Sequence, residues 1–175
     1  MNKLFRFGLL SALVLLGGCE EFDNLTYDLV RQPSGKVAIL IDLADQHAYL
    51  YSRGQVVLRA PVSTGREGHD TPAGHYSVIE KDIDHRSSIY GAYVRDGIIV
   101  QENVDVRKDP RPPGSTFVGA PMPYFLRIVG GVGLHAGYLP GYPASHGCIR
   151  MPESKAERFF YAARVGTPVT VTGSQ

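Results

Sequence analysis

A mainly β fold with one C-terminal amphipathic helix packed on a sheet is what the sequence predicts, on three observations. Twenty glycines, twelve prolines and ten tyrosines in 175 residues favour strands and turns, since glycine and proline interrupt helices and aromatics suit half-buried strands. Short β-branched or aromatic runs recur between turn signals along most of the chain. Only one stretch, near the C-terminus, spaces its apolar residues as a helix does.

In chain order, Lys36–Leu43 and Gln46–Tyr51 read as a hairpin across Ala44-Asp45, and Gln55–Thr64 as a third strand. Gly65, Gly68, Pro72 and Gly74 mark a loop, after which His75–Lys81 alternates apolar and polar as a fourth strand. Such short connections predict an antiparallel meander. Between Asp82 and Pro123 the pattern weakens to one short strand at Gly97–Gln101 and a long irregular surface stretch from Asp105. Tyr124–Val129 and Gly133–His135 are strands again, the second carrying His135 at its end. Pro152 and Glu153 open the helix, Ala156, Phe159, Phe160 and Ala163 form its buried stripe, and Arg164, Gly166 and Pro168 close it. Pro168–Thr172 is a final strand.

At 43% hydrophobic and 20% charged, the chain has the composition of one globular domain with a single core. A net charge of +1 without long like-charged runs argues against a nucleic-acid partner.

Residues 1–18 read as a lipoprotein signal peptide. Lys3 and Arg6 precede the apolar run Phe7–Leu16, too short to span a bilayer. Leu16-Gly17-Gly18-Cys19 resembles a bacterial lipobox, in which cleavage exposes a cysteine that is lipidated; an ordinary signal peptide containing a cysteine is the alternative. The lipidated N-terminus and tether then run over residues 19–35, and the sixteen residues after Cys19 reach on the order of 50 Å when extended. The expected location is the bacterial envelope, facing the periplasm and anchored through Cys19 to the inner or outer membrane. The folded domain is expected over residues 36–173.

Acylation of Cys19 leaves Cys148 as the only free thiol and excludes a disulfide between them. In an oxidising compartment a free thiol calls for a reason: deep burial, a metal or chemistry. Thiolate is the attacking form of cysteine, and an ordinary thiol of pKa about 8.5 needs a base or a positive field to reach it. His146 is two residues before Cys148, and His135, thirteen before, lies on a separate segment from which it can approach the sulfur as base. Gly147 removes a side chain beside the nucleophile, and the Gly147 and Cys148 amides are candidate oxyanion donors. Arg150 either binds a substrate carboxylate or supports the loop. His135, His146 and Cys148 are also a possible zinc trio, a weak signal without CxxC or HExxH, and no metal or other cofactor is assigned. Tyr138 and Tyr142 offer flat contact area for a substrate groove. His47 reads as a surface residue, and His69, His75 and His85 as residues in or near loops, with groove lining the less favoured alternative.

The run Leu134–Pro152, with Ser145-His146-Gly147-Cys148 continued by Ile149, Arg150 and Met151, resembles the signature of the YkuD-type L,D-transpeptidase catalytic domains. VSTG at 62–65, TPAG at 71–74, GAPMPY at 119–124 and GTPV at 166–169 extend the resemblance over roughly 36–172. The resemblance implies a β-sandwich-like fold and a nucleophile at Cys148. It also implies a base at His135 and a loop shaped by Ser145, His146 and Gly147, with a shorter His135–Ser145 interval than many members have. It further implies attack on the diaminopimelate carbonyl of a peptidoglycan stem tetrapeptide, release of D-alanine, and transfer of the acyl group to an amine. The acceptor is a second stem peptide, an envelope lipoprotein lysine, a D-amino acid or water. A hydrolase with the same site, and a silent peptidoglycan-binding lipoprotein, are the competing functions.

Overall fold

A computed structural model describes residues 36–174; the expected signal peptide, Cys19 and the tether lie outside the described residues. The order is β1 (Val37–Asp42), β2 (His47–Ser52), β3 (Gln55–Pro61), β4 (Gly74–Ser77), β5 (Glu80–Asp82), β6 (Arg86–Arg95), β7 (Ile98–Asp105), β8 (Thr116–Pro121), β9 (Phe125–Val129), β10 (Val132–Ala136), β11 (Ile149–Met151), α1 (Glu153–Ala162) and β12 (Pro168–Thr172). They form a five-stranded sheet β3-β2-β1-β12-β4, a four-stranded sheet β11-β10-β9-β5 and a three-stranded sheet β7-β6-β8.

Strand alternation puts every second residue on one face, and the two larger sheets turn those faces into one core. Ile39 and Ile41 of β1, Leu50 of β2 and Val169 and Val171 of β12 share it with Leu126 and Ile128 of β9, Leu134 of β10 and Ile149 and Met151 of β11. Helix α1 lies against β9 and β10. The predicted stripe of Ala156, Phe159, Phe160 and Ala163 is buried in the same core. Burying each large side chain contributes about 1.5–3 kcal/mol, so this core holds the sheets in place. At the helix C-terminus, Lys81 Nζ donates to the Phe160 and Ala163 carbonyls, each at 2.6 Å, satisfying acceptors the helix leaves unpaired.

Three expectations need correction. The strand expected at 75–81 is two strands, β4 and β5, in different sheets. The chain changes sheet at the buried Val78, whose amide donates to the Thr167 carbonyl (2.9 Å) and whose carbonyl accepts from the Gly166 amide (2.7 Å). Apolar alternation runs through the crossing, so it could not reveal it. The antiparallel meander holds only for β1 to β3; β4 pairs with β12, and the β1–β12 and β10–β11 pairs are parallel. Parallel partners are set by long crossovers, which local pattern does not encode. The irregular stretch after Asp82 contains the three-stranded sheet. Its strands expose Ile98, Ile99, Val100 and Val118 and bury only a small set such as Tyr93 and Val104, so no clean alternation marks them. Ile149–Met151, to which the sequence assigned no element, is strand β11.

Candidate active site

The parallel pair β10–β11 builds the site. Its register sets Leu134 beside Ile149, His135 beside Arg150 and Ala136 beside Met151. Leu134, Ala136, Ile149 and Met151 point into the core, so alternation sends His135 and Arg150 to the opposite face. Cys148, two residues before Arg150, shares that face, with the register carried back one step setting it beside Gly133. Two residues thirteen apart in sequence therefore stand on adjacent strands of one surface.

His135 is 6% exposed, with Phe125 packed at a ring separation of 6.3 Å. Its Nδ1 donates to the Ala136 carbonyl at 2.8 Å, and because a carbonyl only accepts, Nδ1 carries the proton and Nε2 is left as the basic nitrogen. The orienting group that the sequence did not identify is thus the next residue's own backbone. Burial pushes the His135 pKa down to about 4, opposed by the Ala136 hydrogen bond and helped by the charge of Arg150. Half-buried Cys148 donates its thiol to the Gly131 carbonyl at 3.5 Å. Burial pushes that thiol up from its usual range, against the pull of the Gly133 amide and the positive charges of Arg150 and Arg127. Both shifts favour neutral forms, so the resting pair is thiol and imidazole rather than thiolate and imidazolium.

The nucleophile's backbone is held from below. Ser145, 1% exposed, donates through Oγ to the Cys148 carbonyl (2.5 Å) and accepts from the Gly147 amide (3.0 Å). The Gly147 amide, expected as an oxyanion donor, is therefore occupied, and Gly147 instead shapes the loop through a φ of +113° that side-chain-bearing residues rarely adopt. The VSTG segment laces the same loop. Ser63 exchanges backbone bonds with Arg150 (2.9 and 3.0 Å), its Oγ donates to the Tyr142 carbonyl (2.8 Å), and the Thr64 carbonyl accepts from Ala144 and Ser145. Buried Thr71 accepts from the Gly65 amide (2.9 Å) and donates to the Gly147 carbonyl (2.8 Å). Any side chain at Gly65 would collide with the His69 carbonyl. Sequence reasoning missed these tethers; the signal that could have found them is the hydroxyls of Ser63, Thr64 and Thr71, set in otherwise apolar or turn segments.

Across the loop, the three-stranded sheet delivers Tyr90, whose ring stacks on His146 at 4.1 Å, with His69 edge-on to the same imidazole at 4.9 Å. Arg107 bonds the Tyr90 hydroxyl (2.8 Å) and is held by both carboxylate oxygens of Asp105 (2.8 and 2.7 Å). Partial burial, then the charges of Arg66, His69 and Arg150, lower the His146 pKa to about 4. His146 thus faces the outer sheet, and the zinc trio is not assembled. Among the described residues the one grouping with metal-ligand spacing is Glu80, Asp82 and His85, whose members already pair: Asp82 with His85, Glu80 with Arg127.

Of the groove candidates, Tyr138 and Tyr142 are 78% and 62% exposed beside the loop. His69 joins the site, His85 stacks on Phe125 behind it at 4.2 Å, and His75 instead sits on β4 against Thr170. His47 lies on β2 with its Nδ1 on the Asp45 carbonyl, away from the loop.

The profile of the L,D-transpeptidase catalytic domain, YkuD, matches residues 36–171. Among solved structures, the Ldtfm–avibactam carbamoyl enzyme is 28% identical (TM-score 0.58), with 80% of this chain and 50% of that one covered. A cysteine-to-serine mutant of the Enterococcus faecium L,D-transpeptidase is 27% identical (TM-score 0.55), with 78% and 50% covered. The E. faecium catalytic domain acylated by ertapenem is also 27% identical (TM-score 0.55), with 79% of this chain and 98% of that domain covered. The chain thus spans about half the length of the longer solved relatives. Comparison with curated protein sequences gives no significant match.

Proposed function

The chain belongs to the L,D-transpeptidase catalytic domain family, and on that premise we propose that it is a peptidoglycan L,D-transpeptidase working through a thioester on Cys148. The observation that carries the reading is the parallel β10–β11 register, which sets His135, with Nε2 unprotonated, on the same face as Cys148.

The thiol turns from the Gly131 carbonyl toward Nε2 by rotation about its Cα–Cβ bond. As Sγ attacks the diaminopimelate carbonyl of a stem tetrapeptide, the thiol proton passes to His135. The tetrahedral intermediate expels D-alanine, whose amine takes that proton, and a thioester remains. An amine then attacks the thioester carbonyl, its proton goes to His135 and on to the departing sulfur, and the crosslink is complete. Starting from a neutral pair means charge separates only as the carbonyl is attacked, so idle thiol in an exported compartment resists oxidation. Ser145 and Gly147 act by fixing the loop, and the Cys148 amide is the oxyanion donor.

The domain is held at the envelope, facing the periplasm, by lipidation of Cys19, with residues 20–35 as tether. The sequence pattern at 1–19 supports this part of the proposal.

The test is to incubate the purified full chain with disaccharide tetrapeptide and follow products by mass spectrometry. Crosslinked dimer is the expected result; tripeptide alone reassigns the enzyme as a hydrolase. A Cys148→Ala chain that turns over at the parental rate overturns the nucleophile assignment. Because a relative is acylated by ertapenem, a stoichiometric ertapenem adduct on Cys148 is also expected.

A further inference from the structure

Four arginines lie around the loop that carries Cys148, Arg127 and Arg150 acting on the sulfur and Arg66 and Arg107 reaching the loop through Ser145 and Tyr90, and they differ in how their charge is answered. Arg127 pairs with Glu80 at 2.7 Å, and Arg107 with Asp105 at 2.7 Å. Among the described residues Arg66 and Arg150 have no carboxylate partner; Arg150 stands two residues after Cys148, and Arg66 is anchored by its backbone to the loop that carries it. Arg150 follows it by two residues on the same face of β11, half-buried, its aliphatic stem laid over Gly137. Arg66 is exposed and anchored to the residue three before the nucleophile: its amide donates to the Ser145 carbonyl at 3.0 Å, and its own carbonyl closes a turn with the His69 amide at 2.8 Å. Burial weakens the hold of Arg150 on its proton, opposed by Cys148, and the charge of Arg66 adds to that weakening. Two neighbouring guanidiniums without an anion repel each other, a cost that a bound carboxylate reverses through charge-assisted, bidentate hydrogen bonds.

We infer that Arg66 and Arg150 form a carboxylate clamp on the leaving-group side of Cys148. It takes first the α-carboxylate of the donor's terminal D-amino acid and then that of the amino-acid amine replacing it. The inference rests on the proposed function and names its acceptor class. In the donor this carboxylate is one carbon from the scissile nitrogen, so an anion site beside the attacking sulfur can reach it. The departing amine and the incoming amine pass through the same tetrahedral geometry in opposite directions, so both use one subsite. In acylation the C–N bond breaks as S–C forms; in deacylation a new C–N forms as S–C breaks, with His135 carrying the proton each way. Water has no carboxylate for the clamp, and a lysine side-chain amine carries its α-carboxylate at the far end of the chain. The clamp therefore selects D-amino acids and the α-amino-acid end of diaminopimelate.

The test separates binding from turnover. Affinities of the full-length Cys148→Ala chain for disaccharide tetrapeptide ending in D-alanine and in D-alaninamide are measured by calorimetry. The same pair is then measured with Arg66→Gln or Arg150→Gln added. A charge-assisted contact predicts about tenfold to hundredfold tighter binding of the acid, collapsing to near parity when either arginine is lost. Arg66 is exposed, so its variant keeps the fold. A merely structural arginine would weaken acid and amide alike. Equal binding of acid and amide, no binding of either, or a preference that survives Arg66→Gln overturns the clamp, even if the active enzyme crosslinks normally. Preferential binding of the acid without thioester formation by the active chain would leave the clamp standing and sink the transpeptidase reading.

Discussion

The loop carrying Cys148 and the three-stranded sheet facing it are built in opposite ways. The loop is tied down by buried side-chain hydrogen bonds from Ser63, Thr71 and Ser145, and its flanking strands bury Leu134, Ile149 and Met151. The outer sheet is long and largely solvent-exposed, and it meets the loop through the stacking of Tyr90 on His146. Attack on a carbonyl requires a sulfur and a base held to fractions of an ångström, which interlocked buried hydrogen bonds supply. Admitting a branched wall peptide requires a surface that can adjust, which a ring stack worth about 0.5–1.5 kcal/mol permits. On the proposed function, the rigid part holds the reacting groups and the adaptable part receives the substrate.

The largest break in that contrast is expected at His135. His135→Gln lowers kcat by on the order of 10²–10⁴-fold, the usual range for losing a general base, in steady-state assays. Its pKa near 4 also fixes a pH signature: the imidazole is in base form above pH 4, so the acid limb of kcat/KM falls near 4, and a limb near 6.5 contradicts the buried-base reading. The folded-state value lies below the ordinary 6.5, so the unfolded chain binds the extra proton between the two. Stability on the order of 3 kcal/mol is thus present above pH 6.5 and lost as pH falls toward 4. Urea midpoints at pH 7 and pH 4.5 read this, and His135→Gln reduces the difference, leaving the smaller share of the less buried His146.

Thr71→Val tests the tethers next. It leaves the Gly65 amide and Gly147 carbonyl unpaired, costing about 1–3 kcal/mol in urea denaturation. It also slows kcat roughly tenfold to a hundredfold by loosening the loop, and Thr71→Ser, which keeps the hydroxyl, restores most of both. On the adaptable side, Tyr90→Ala is expected to raise KM roughly two- to tenfold with kcat and the urea midpoint nearly unchanged. An effect on kcat as large as that of Thr71→Val would erase the contrast. The smallest effect is expected at Ile98, 70% exposed at the start of β7. There Ile98→Ser should leave turnover unchanged and shift stability by no more than about 0.5 kcal/mol.

The sequence was most legible where one face of an element is buried. β1, β2, the helix stripe of Ala156, Phe159, Phe160 and Ala163, and β12 follow their patterns because burial writes periodicity into residue choice. It failed at Arg86–Pro121, where the strands β6–β8 are mostly exposed and composition is free to vary. It failed again at Val78, where the chain changes sheet without changing pattern. For the site, the sequence supplied the residue types and the resemblance: a lone thiol, two histidines near it, a glycine before it and the family's Ser-His-Gly-Cys run. It did not supply Tyr90, Asp105, Arg107 or Arg66, because their places depend on contacts, and of Thr71 it offered only a hydroxyl in a turn segment without its partners.

What the sequence determined by itself was the β-rich class and the C-terminal helix, since burial constrains residue type, and it marked Cys148 and His135 as candidates because few residue types carry such chemistry. Only the tertiary structure decided that β10 and β11 run parallel, that the Ala136 carbonyl fixes the His135 tautomer, that the Gly147 amide is already taken, and that Arg66 and Arg150 lack the carboxylate partners Arg107 and Arg127 have. Those facts depend on strand partners and register, which long-range packing sets and local pattern does not record.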